Sequence, residues 1–397
     1  MGISDRARNI APSATLAMDT KTKAMQAAGE NVIGFAAGEP DFDTPAPIRD
    51  AMKEALDRGM TRYTPVAGTL ELRRAIVEKF KHDNDLVYDV KQIIVSNGAK
   101  HSLYNACFAL LNEGDEVLIP TPCWVSYPEM VRMVGGVPVF VPTGEKEGFI
   151  PTAAAIAAAI TPRTKAFILT SPSNPNGCVW PREALQALAT LAVERNFYII
   201  SDEIYEQLIY GGKKHVSIAS LGEAIKARTI VINGVSKTYA MTGFRIGYAA
   251  GPAEVIEAMV NAQSQATSAP NSPAQAAALK ALTMPQDCVA DMRRAFEQRR
   301  DVLVKGINAI PGLACLKPDG AFYVMMNISG LLGKSFNGQP LDNSAAFAEA
   351  LLANARVSVV PGHAFMAEGF CRLSYATSME KIQEGLRRLE KFVQALT

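Results

Sequence analysis

The chain has 397 residues, more than one ordinary domain holds, and its length therefore predicts two domains. Hydrophobic residues make up 48% of it and the formal net charge is +1, a balance typical of a globular protein and not of one that binds nucleic acid. The six cysteines form no Cys-x-x-Cys pair and the four histidines have no ligand spacing, so we expect a reduced, cytoplasmic protein without a metal.

Strand-like runs and helical patterns alternate from about residue 46 to residue 290. The N-terminus before them has no apolar signal segment, and a helix is expected there at 15–28. Another helix is predicted at 182–195. The alternation predicts an α/β fold with a mostly parallel, seven-stranded sheet between helices. The strands are predicted at 92–96, 116–120, 137–141, 166–170, 198–201, 229–232 and 246–249.

The pattern changes after residue 290. A charged helix is expected at 293–309, and the elements after it predict a smaller α+β domain that the N-terminal residues join. We therefore expect a large domain at 46–290 and a small domain made of 1–45 and 291–397, with an N-terminal arm on a partner subunit. The uncharged stretch 258–279 contains several Asn, Gln and Pro residues, so no membrane span is expected. The remaining predicted elements are strands at 321–326, 357–360 and 371–375 and an amphipathic helix at 379–396.

The segment 234–245 holds the most informative pair of charged residues, Lys237 and Arg245. It lies between two apolar strands and also carries a hydroxyl group at Ser236. An apolar pocket disfavours the charged form of a lysine, which an amine that reacts with an aldehyde requires, and an arginine suits a phosphate. A surface lysine and arginine on a connecting loop would also explain this segment taken alone.

Three further motifs follow predicted strands. One strand turns through Gly98 into a helix, whose free N–H groups suit a phosphate. A turn rich in proline and asparagine surrounds Asn174, and another strand ends in Asp202, with Tyr205 soon after. Each has a structural alternative, namely a tight bend at Gly98, a turn former at Asn174 or a helix cap at Asp202. Their coincidence at successive strand ends favours a ligand site.

These motifs resemble those of the class I aminotransferases of fold type I, which depend on pyridoxal 5′-phosphate. The likeness covers nearly the whole chain and is strongest to the bacterial aspartate aminotransferases of the subgroup that includes aspartate/prephenate enzymes. The family usually has Trp where this chain has Phe244. The resemblance implies that fold and cofactor, and a homodimer with shared active sites. It rests on Pro12-Ser-Ala-Thr, Gly38-Glu-Pro-Asp-Phe-Asp-Thr-Pro45, Tyr63-Thr-Pro, Trp124-Val-Ser-Tyr-Pro-Glu-Met, Ser171-Pro-Ser-Asn-Pro, Met241-Thr-Gly-Phe-Arg-Ile-Gly-Tyr and Arg372-Leu-Ser-Tyr-Ala.

The resemblance also implies how the cofactor is held. Lys237 matches the lysine that bonds to the cofactor aldehyde and later carries the substrate proton. Asp202 matches the carboxylate that keeps the pyridine nitrogen protonated. Asn174 and Tyr205 match the groups that hydrogen-bond the 3′ oxygen, and Trp124 matches the side chain stacked on the ring. The phosphate is expected at Gly98, Ala99, Lys100, Ser236 and Arg245 and at Tyr63 of the partner subunit.

Substrate recognition is implied in the same way. Arg372 matches the arginine whose planar guanidinium binds the α-carboxylate. The bacterial subgroup reads the side-chain carboxylate with a lysine and a serine, which match Lys100 and Ser13. The animal and enteric type uses a partner arginine from the stretch that corresponds to 263–272, which has no cation here. The substrate-binding residues are therefore expected to be Gly38, Trp124, Asn174, Arg372, Lys100 and Ser13.

We therefore expect an aminotransferase that moves an amino group between an L-amino acid, preferably L-aspartate, and 2-oxoglutarate by a ping-pong mechanism. An aromatic, alanine or prephenate aminotransferase remains an alternative, and a β-eliminating lyase of the same fold is less favoured. A nicotinamide-binding enzyme would need a Gly-x-Gly-x-x-Gly turn after an early strand, and the sequence has none. A non-catalytic regulator would need a DNA-binding module, for which the chain has no spare residues.

Overall fold

The computed structural model describes residues 2–397. Its helices are α1 (Asp5–Arg8), α2 (Ala14–Ala27), α3 (Ala46–Asp57), α4 (Leu70–Asn84), α5 (Ala99–Leu110), α6 (Ser126–Met133), α7 (Ala153–Ala159), α8 (Arg182–Glu194), α9 (Glu223–Lys226), α10 (Ala253–Ala266), α11 (Ser272–Thr283), α12 (Asp287–Ala309), α13 (Ser344–Ala355) and α14 (Met379–Gln394). Its strands are β1 (Ile33–Gly34), β2 (Ile93–Ser96), β3 (Glu116–Thr121), β4 (Val137–Pro142), β5 (Thr164–Thr170), β6 (Tyr198–Asp202), β7 (Thr229–Gly234), β8 (Gly247–Ala250), β9 (Tyr323–Asn327), β10 (Ser335–Phe336), β11 (Gln339–Pro340), β12 (Val357–Ser358), β13 (Val360–Pro361) and β14 (Phe370–Ser374).

The main sheet has seven strands in the order β2-β8-β7-β6-β5-β3-β4. Neighbouring strands are parallel from β4 to β7, and β8 runs antiparallel to both β7 and β2. Helices cover both faces, so β2, β7 and β8 are buried along their whole length. Such burial explains why these strands read as continuous apolar runs in the sequence. The predicted α/β architecture with a mostly parallel sheet is confirmed.

The polar ends of these strands lie along one edge of the sheet. Since β5 and β6 are parallel, Thr170 and Asp202 are register partners at their carboxyl ends. Strand β7 reaches the same edge just before Lys237. Strand β8 enters the sheet there because it is antiparallel, and it begins two residues after Arg245. The topology thus gathers motifs that are far apart in the sequence.

Helix α5 begins at this edge with an open first turn. Gly98 precedes it with φ of 89° and provides no side-chain cap. A β-carbon at Gly98 would collide with the guanidinium of Arg245, and one at Gly247 would collide with the backbone of Ala99. The two glycines therefore let the helix N-terminus lie close to β8 and to Arg245.

A second sheet, with three antiparallel strands in the order β13-β14-β9, lies in the C-terminal third of the chain. Its core includes Phe296 of α12 and Leu389 of α14, and the N-terminal residues Ile33 and Phe35 pack into the same core. This packing supports the division into 46–290 and 1–45 plus 291–397, which we retain as a proposal.

Two elements of the C-terminal third differ from their predicted form. Helix α12 begins at Asp287, before the predicted residue 293, because Val289 and Met292 extend its buried face. The single strand predicted at 357–360 is two strands, since β12 pairs with β1 and β13 pairs with β14. Among the residues that the structure describes, we find no helix with the length and apolarity needed to cross a membrane.

Candidate active site

A cavity of about 440 Å³ lies at the polar edge of the main sheet and extends to the second sheet. All but two of the residues that the sequence analysis assigned to the site line this cavity. The exceptions are Gly98 and Tyr63. Gly98 lies against the Arg245 guanidinium. The assigned residues that line it are Ser13, Gly38, Ala99, Lys100, Trp124, Asn174, Asp202, Tyr205, Ser236, Lys237, Arg245 and Arg372.

Lys237 lies in this cavity, and its Nζ donates a hydrogen bond to the carbonyl oxygen of Gly38 at 2.7 Å. Burial lowers the pKa of the amine to about 8, although the negative charge of Glu39 opposes the effect. The positive charges of Arg245 and Arg372 lower this pKa further. Because only the neutral amine is a nucleophile, this environment prepares Lys237 to attack a carbonyl carbon near neutral pH.

Asp202 faces Lys237 from the end of β6 and is almost fully buried. Burial raises the pKa of its carboxyl group to about 6. Hydrogen bonds from the Tyr127 hydroxyl and from the backbone N–H of Ile204 act in the opposite direction. A cationic nitrogen placed against this carboxylate would favour the ionised form further.

One end of the cavity is suited to an anion. The structure of residues 2–397 gives the backbone N–H groups of Ala99 and Lys100 no acceptor, and Ser236 lies beside them in the cavity lining. The exposed Arg245 guanidinium is held at the same end by the carbonyl oxygens of Thr242 and Asn97, at 2.8 and 3.3 Å. An open helix N-terminus with an adjacent arginine fits a phosphate group.

Arg372 lines the same cavity from β14 and is 2% exposed. Its Nη1 donates to Oδ1 of Asn174 at 3.0 Å, and its Nη2 donates to the carbonyl oxygen of Ala36 at 2.9 Å. Among the described residues, its Nε has no acceptor and no acidic side chain pairs with it. A buried cation without a counter-charge is costly, so this guanidinium fits a carboxylate ligand.

Lys100 and Ser13 also line the cavity. The Lys100 ammonium donates to the Ser126 hydroxyl at 3.1 Å and lies 4.6 Å from the centre of the Trp124 ring. Burial and the positive charge of Arg245 lower its pKa. The Ser13 hydroxyl also caps α2, since it accepts a hydrogen bond from the backbone N–H of Leu16 at 3.4 Å.

Two tyrosines that line the cavity, Tyr127 and Tyr323, were not among the residues predicted for the site. The Tyr323 hydroxyl bonds that of Tyr205 at 2.9 Å, and the Arg372 guanidinium lies 4.4 Å from the centre of the Tyr323 ring. Tyr127 belongs to the motif that begins at Trp124, and Tyr323 belongs to a predicted strand. The motif could have suggested Tyr127, but no sequence signal shows which way either side chain points.

Tyr63 does not line the cavity of its own chain and is 93% exposed. Its contact with a phosphate was predicted across a subunit interface, so a single chain does not test it. The role of Tyr63 therefore stays a prediction.

A second buried polar cluster lies apart from this cavity. The ligand atoms of Glu203, Glu206 and His215 lie within 4.8 Å of one another, as the donors of a metal site do. Lys79 forms an ion pair with Glu206, and Asn84 donates to the same carboxylate at 2.8 Å. The cluster therefore already contains a cation, and we assign no metal to it.

Comparison with known proteins gives a consistent set of relatives. The family described as "Aminotransferase class I and II" matches residues 30–389. An aspartate aminotransferase of Bacillus sp. (strain YM-2) is 48% identical over 392 residues, which are 99% of each chain. An aspartate/prephenate aminotransferase of Cereibacter sphaeroides is 48% identical over 397 residues, which are 100% of this chain and 99% of the relative.

Solved structures agree in fold. The aspartate aminotransferase from Rhizobium meliloti superimposes with a TM-score of 0.96 at 43% identity, over 100% of both chains. The aspartate aminotransferase from Thermus thermophilus, solved with maleate, gives a TM-score of 0.94 at 45% identity, over 99% of this chain and 100% of that one.

Proposed function

The chain belongs to the class I and II aminotransferase family and is an aminotransferase, and from this premise we propose that it moves an amino group between L-aspartate and 2-oxoglutarate. We further propose that pyridoxal phosphate binds in the cavity at Lys237. The observation that carries the proposal is that Lys237, with a pKa of about 8, shares one cavity with Arg245 and Arg372, whose positive charges both act on its amine.

The residues present fit pyridoxal phosphate. The cofactor, when bound, supplies an aldehyde and an electron-accepting ring. Lys237 would hold the aldehyde carbon, and the acceptor-free N–H groups of Ala99 and Lys100, with Arg245, would hold the phosphate. The Asp202 carboxylate would hold the protonated pyridine nitrogen, where its negative charge favours that proton.

The other cavity residues would orient the ring and move one proton. Asn174 and Tyr205 would hydrogen-bond the 3′ oxygen, and Trp124 would cover the ring face. Lys237, once freed by the substrate amine, would carry the proton from the substrate α-carbon, because its lowered pKa of about 8 suits a general base near neutral pH. Gly38 already lies at the Lys237 amine, which supports its place in the loop over the substrate.

Two cations would distinguish the two carboxylates of aspartate. Arg372 would bind the α-carboxylate, which every amino acid and keto acid substrate shares. Lys100, with Ser13, would bind the side-chain carboxylate, since both residues line the cavity. The Thermus thermophilus relative was solved with maleate, which is a dicarboxylate, and this supports a dicarboxylic substrate here. The comparisons do not favour an aromatic or alanine aminotransferase or a β-lyase.

The proposal extends to a cytoplasmic homodimer. Tyr63 is 93% exposed although the family resemblance gives it a phosphate contact, and this supports a site completed by Tyr63 of the partner subunit. The six cysteines are free in the described part of the chain, which fits a reducing compartment.

Replacement of Lys100 tests the substrate assignment. Lys100→Met keeps the backbone N–H and most of the apolar stem over Trp124 but removes the charge. We expect kcat/KM for aspartate to fall about 10- to 100-fold, as the loss of one charge-assisted hydrogen bond implies. The value for alanine should change less than about threefold, because alanine has no side-chain carboxylate to lose a partner.

The matched control is Lys23→Met. Lys23 also lines the cavity, but Asp19 pairs with its ammonium at 2.8 Å, so the preference for aspartate should not change. An equal loss of kcat/KM for aspartate and alanine in the Lys100 variant would contradict the assignment. Lys100 would then serve cofactor binding or folding instead of substrate selection.

A further inference from the structure

The Asp202 carboxylate has two hydrogen-bond donors in the described part of the chain. The Tyr127 hydroxyl donates to Oδ2 at 2.6 Å, and the backbone N–H of Ile204 donates to Oδ1 at 3.3 Å. The contact with Tyr127 is the shorter one and comes from a different element, α6. Tyr127 is therefore the side chain best placed to control this carboxylate.

Chemistry fixes the direction of the bonds around Tyr127. An ionised carboxylate can only accept, so the phenol proton points to Asp202. The phenol oxygen in turn accepts a hydrogen bond from Oγ1 of Thr170 at 2.7 Å. Burial and the negative charge of Asp202 raise the pKa of the phenol well above its ordinary value, so Tyr127 keeps this proton. The result is a directed chain from Thr170 through Tyr127 to Asp202.

The surroundings hold this chain in place. Thr170 and Asp202 are register partners on adjacent strands, so the first and last groups of this hydrogen-bond chain lie on one edge of the main sheet. Tyr127 is 2% exposed, and its ring is perpendicular to that of Trp124 at a centroid distance of 5.3 Å. Burial and this ring contact restrict the rotation of the phenol.

We propose that Tyr127 is a positioning residue for the cofactor, which, with Thr170 behind it, keeps Asp202 ionised and aimed at the pyridine nitrogen. The inference rests on the proposed function, because it assigns Asp202 to that nitrogen. Burial alone would favour a neutral carboxyl group, and a neutral carboxyl group would stabilise the pyridinium poorly. The donor at 2.6 Å opposes that effect of burial.

Other charged or titratable groups also face Asp202. The neighbouring carboxylate of Glu203 raises its pKa, the Lys237 amine lowers it, and the Tyr205 phenol lies close enough to respond to its charge. Tyr127 differs from these groups because it is a neutral donor in direct contact. Its hydroxyl can therefore be removed without a change in net charge.

The first measurement is the titration of Asp202 in the full-length protein without cofactor. Aspartate labelled with ¹³C at the side-chain carboxyl gives the pKa, and the Asp202→Asn variant assigns the resonance. The wild-type value is expected at about 6. Tyr127→Phe should raise it by about one unit, which corresponds to the loss of one hydrogen bond to a charged group. Thr170→Val should raise it in the same direction but by less.

Tyr88→Phe is the matched control. Tyr88 is 4% exposed, and its hydroxyl has no partner among the described residues, so this variant removes an equally buried phenol outside the cavity. It should leave the Asp202 titration unchanged. A general effect of deleting a buried hydroxyl would appear in both variants.

The second measurement is the affinity for pyridoxal phosphate. Tyr127→Phe should weaken binding about tenfold, and Tyr88→Phe should not. An unchanged Asp202 pKa in Tyr127→Phe overturns the inference even if cofactor binding weakens. Tyr127 would then only line the cavity and would not act on Asp202. If Tyr127→Phe does not fold, Thr170→Val decides, and an unshifted pKa there overturns the inference. Wild-type protein that does not bind the cofactor contradicts the proposed function instead, whatever the titration gives.

Discussion

Lys237→Ala should reduce transamination by about 10³-fold or more, which is the scale expected when a general base is removed. If the proposed function holds, the variant loses one amine that has two roles, namely to hold the cofactor aldehyde and to carry the substrate proton. The other groups proposed to hold the cofactor remain, namely the N-terminus of α5, Arg245 and the Asp202 carboxylate. The protein should therefore still bind pyridoxal phosphate without a covalent bond. Turnover with aspartate and 2-oxoglutarate, cofactor content and thermal unfolding are the three measurements.

Thermal unfolding should show no loss of stability in this variant, because a partly buried amine with a lowered pKa contributes little to it. Lys305→Ala, an exposed lysine on α12, is the control and should retain wild-type turnover. Near-normal turnover in Lys237→Ala would contradict the account, whereas an unfolded variant would be recognised from its melting curve.

Arg372→Lys should reduce kcat/KM by about 10²- to 10³-fold, which corresponds to the loss of two charge-assisted hydrogen bonds to a carboxylate. Lysine keeps the positive charge but cannot present two parallel N–H groups from separate nitrogen atoms to the two carboxylate oxygens. Because every substrate carries the carboxylate beside its reacting carbon, aspartate, alanine and 2-oxoglutarate should lose the same factor. This uniform loss distinguishes the variant from Lys100→Met, in which kcat/KM should fall only for the dicarboxylic substrate.

Arg300→Lys is the matched control for Arg372→Lys. Arg300 is also 2% exposed, but it lies on α12 and donates to the carbonyl oxygen of Pro318 at 3.1 Å, away from the cavity. The two variants should share the structural cost of a lysine at a buried arginine position. A loss below about tenfold in Arg372→Lys, or a loss confined to aspartate, would remove Arg372 from the α-carboxylate role.

The sequence predicts the framework well because its signals are local. Runs buried on both sides mark the strands of the main sheet, and parallel strands bring their carboxyl ends to one edge. The residues that follow those strands, such as Asn174, Asp202 and Lys237, therefore had to lie close together. Their motifs also carry the family resemblance, so fold and family could be predicted from the chain alone.

The parts that the sequence did not predict depend on side-chain direction and on distant contacts. Tyr127 lies within a recognised motif, yet its bond to Asp202 depends on how α6 packs against the end of β6. The division of 357–360 into two strands arises because the chain leaves β1 and joins β14 within four residues. The hydrogen bond from Arg372 to the carbonyl oxygen of Ala36 likewise joins residues that are far apart in the sequence.

The most direct test of the central claim is a half-reaction without a second substrate. Purified protein loaded with pyridoxal phosphate is mixed with L-aspartate alone, and the oxaloacetate released is counted for each subunit. We expect one equivalent and then no more, until 2-oxoglutarate is added and glutamate appears. Release of no oxaloacetate before 2-oxoglutarate is present would contradict a ping-pong aminotransferase specific for aspartate.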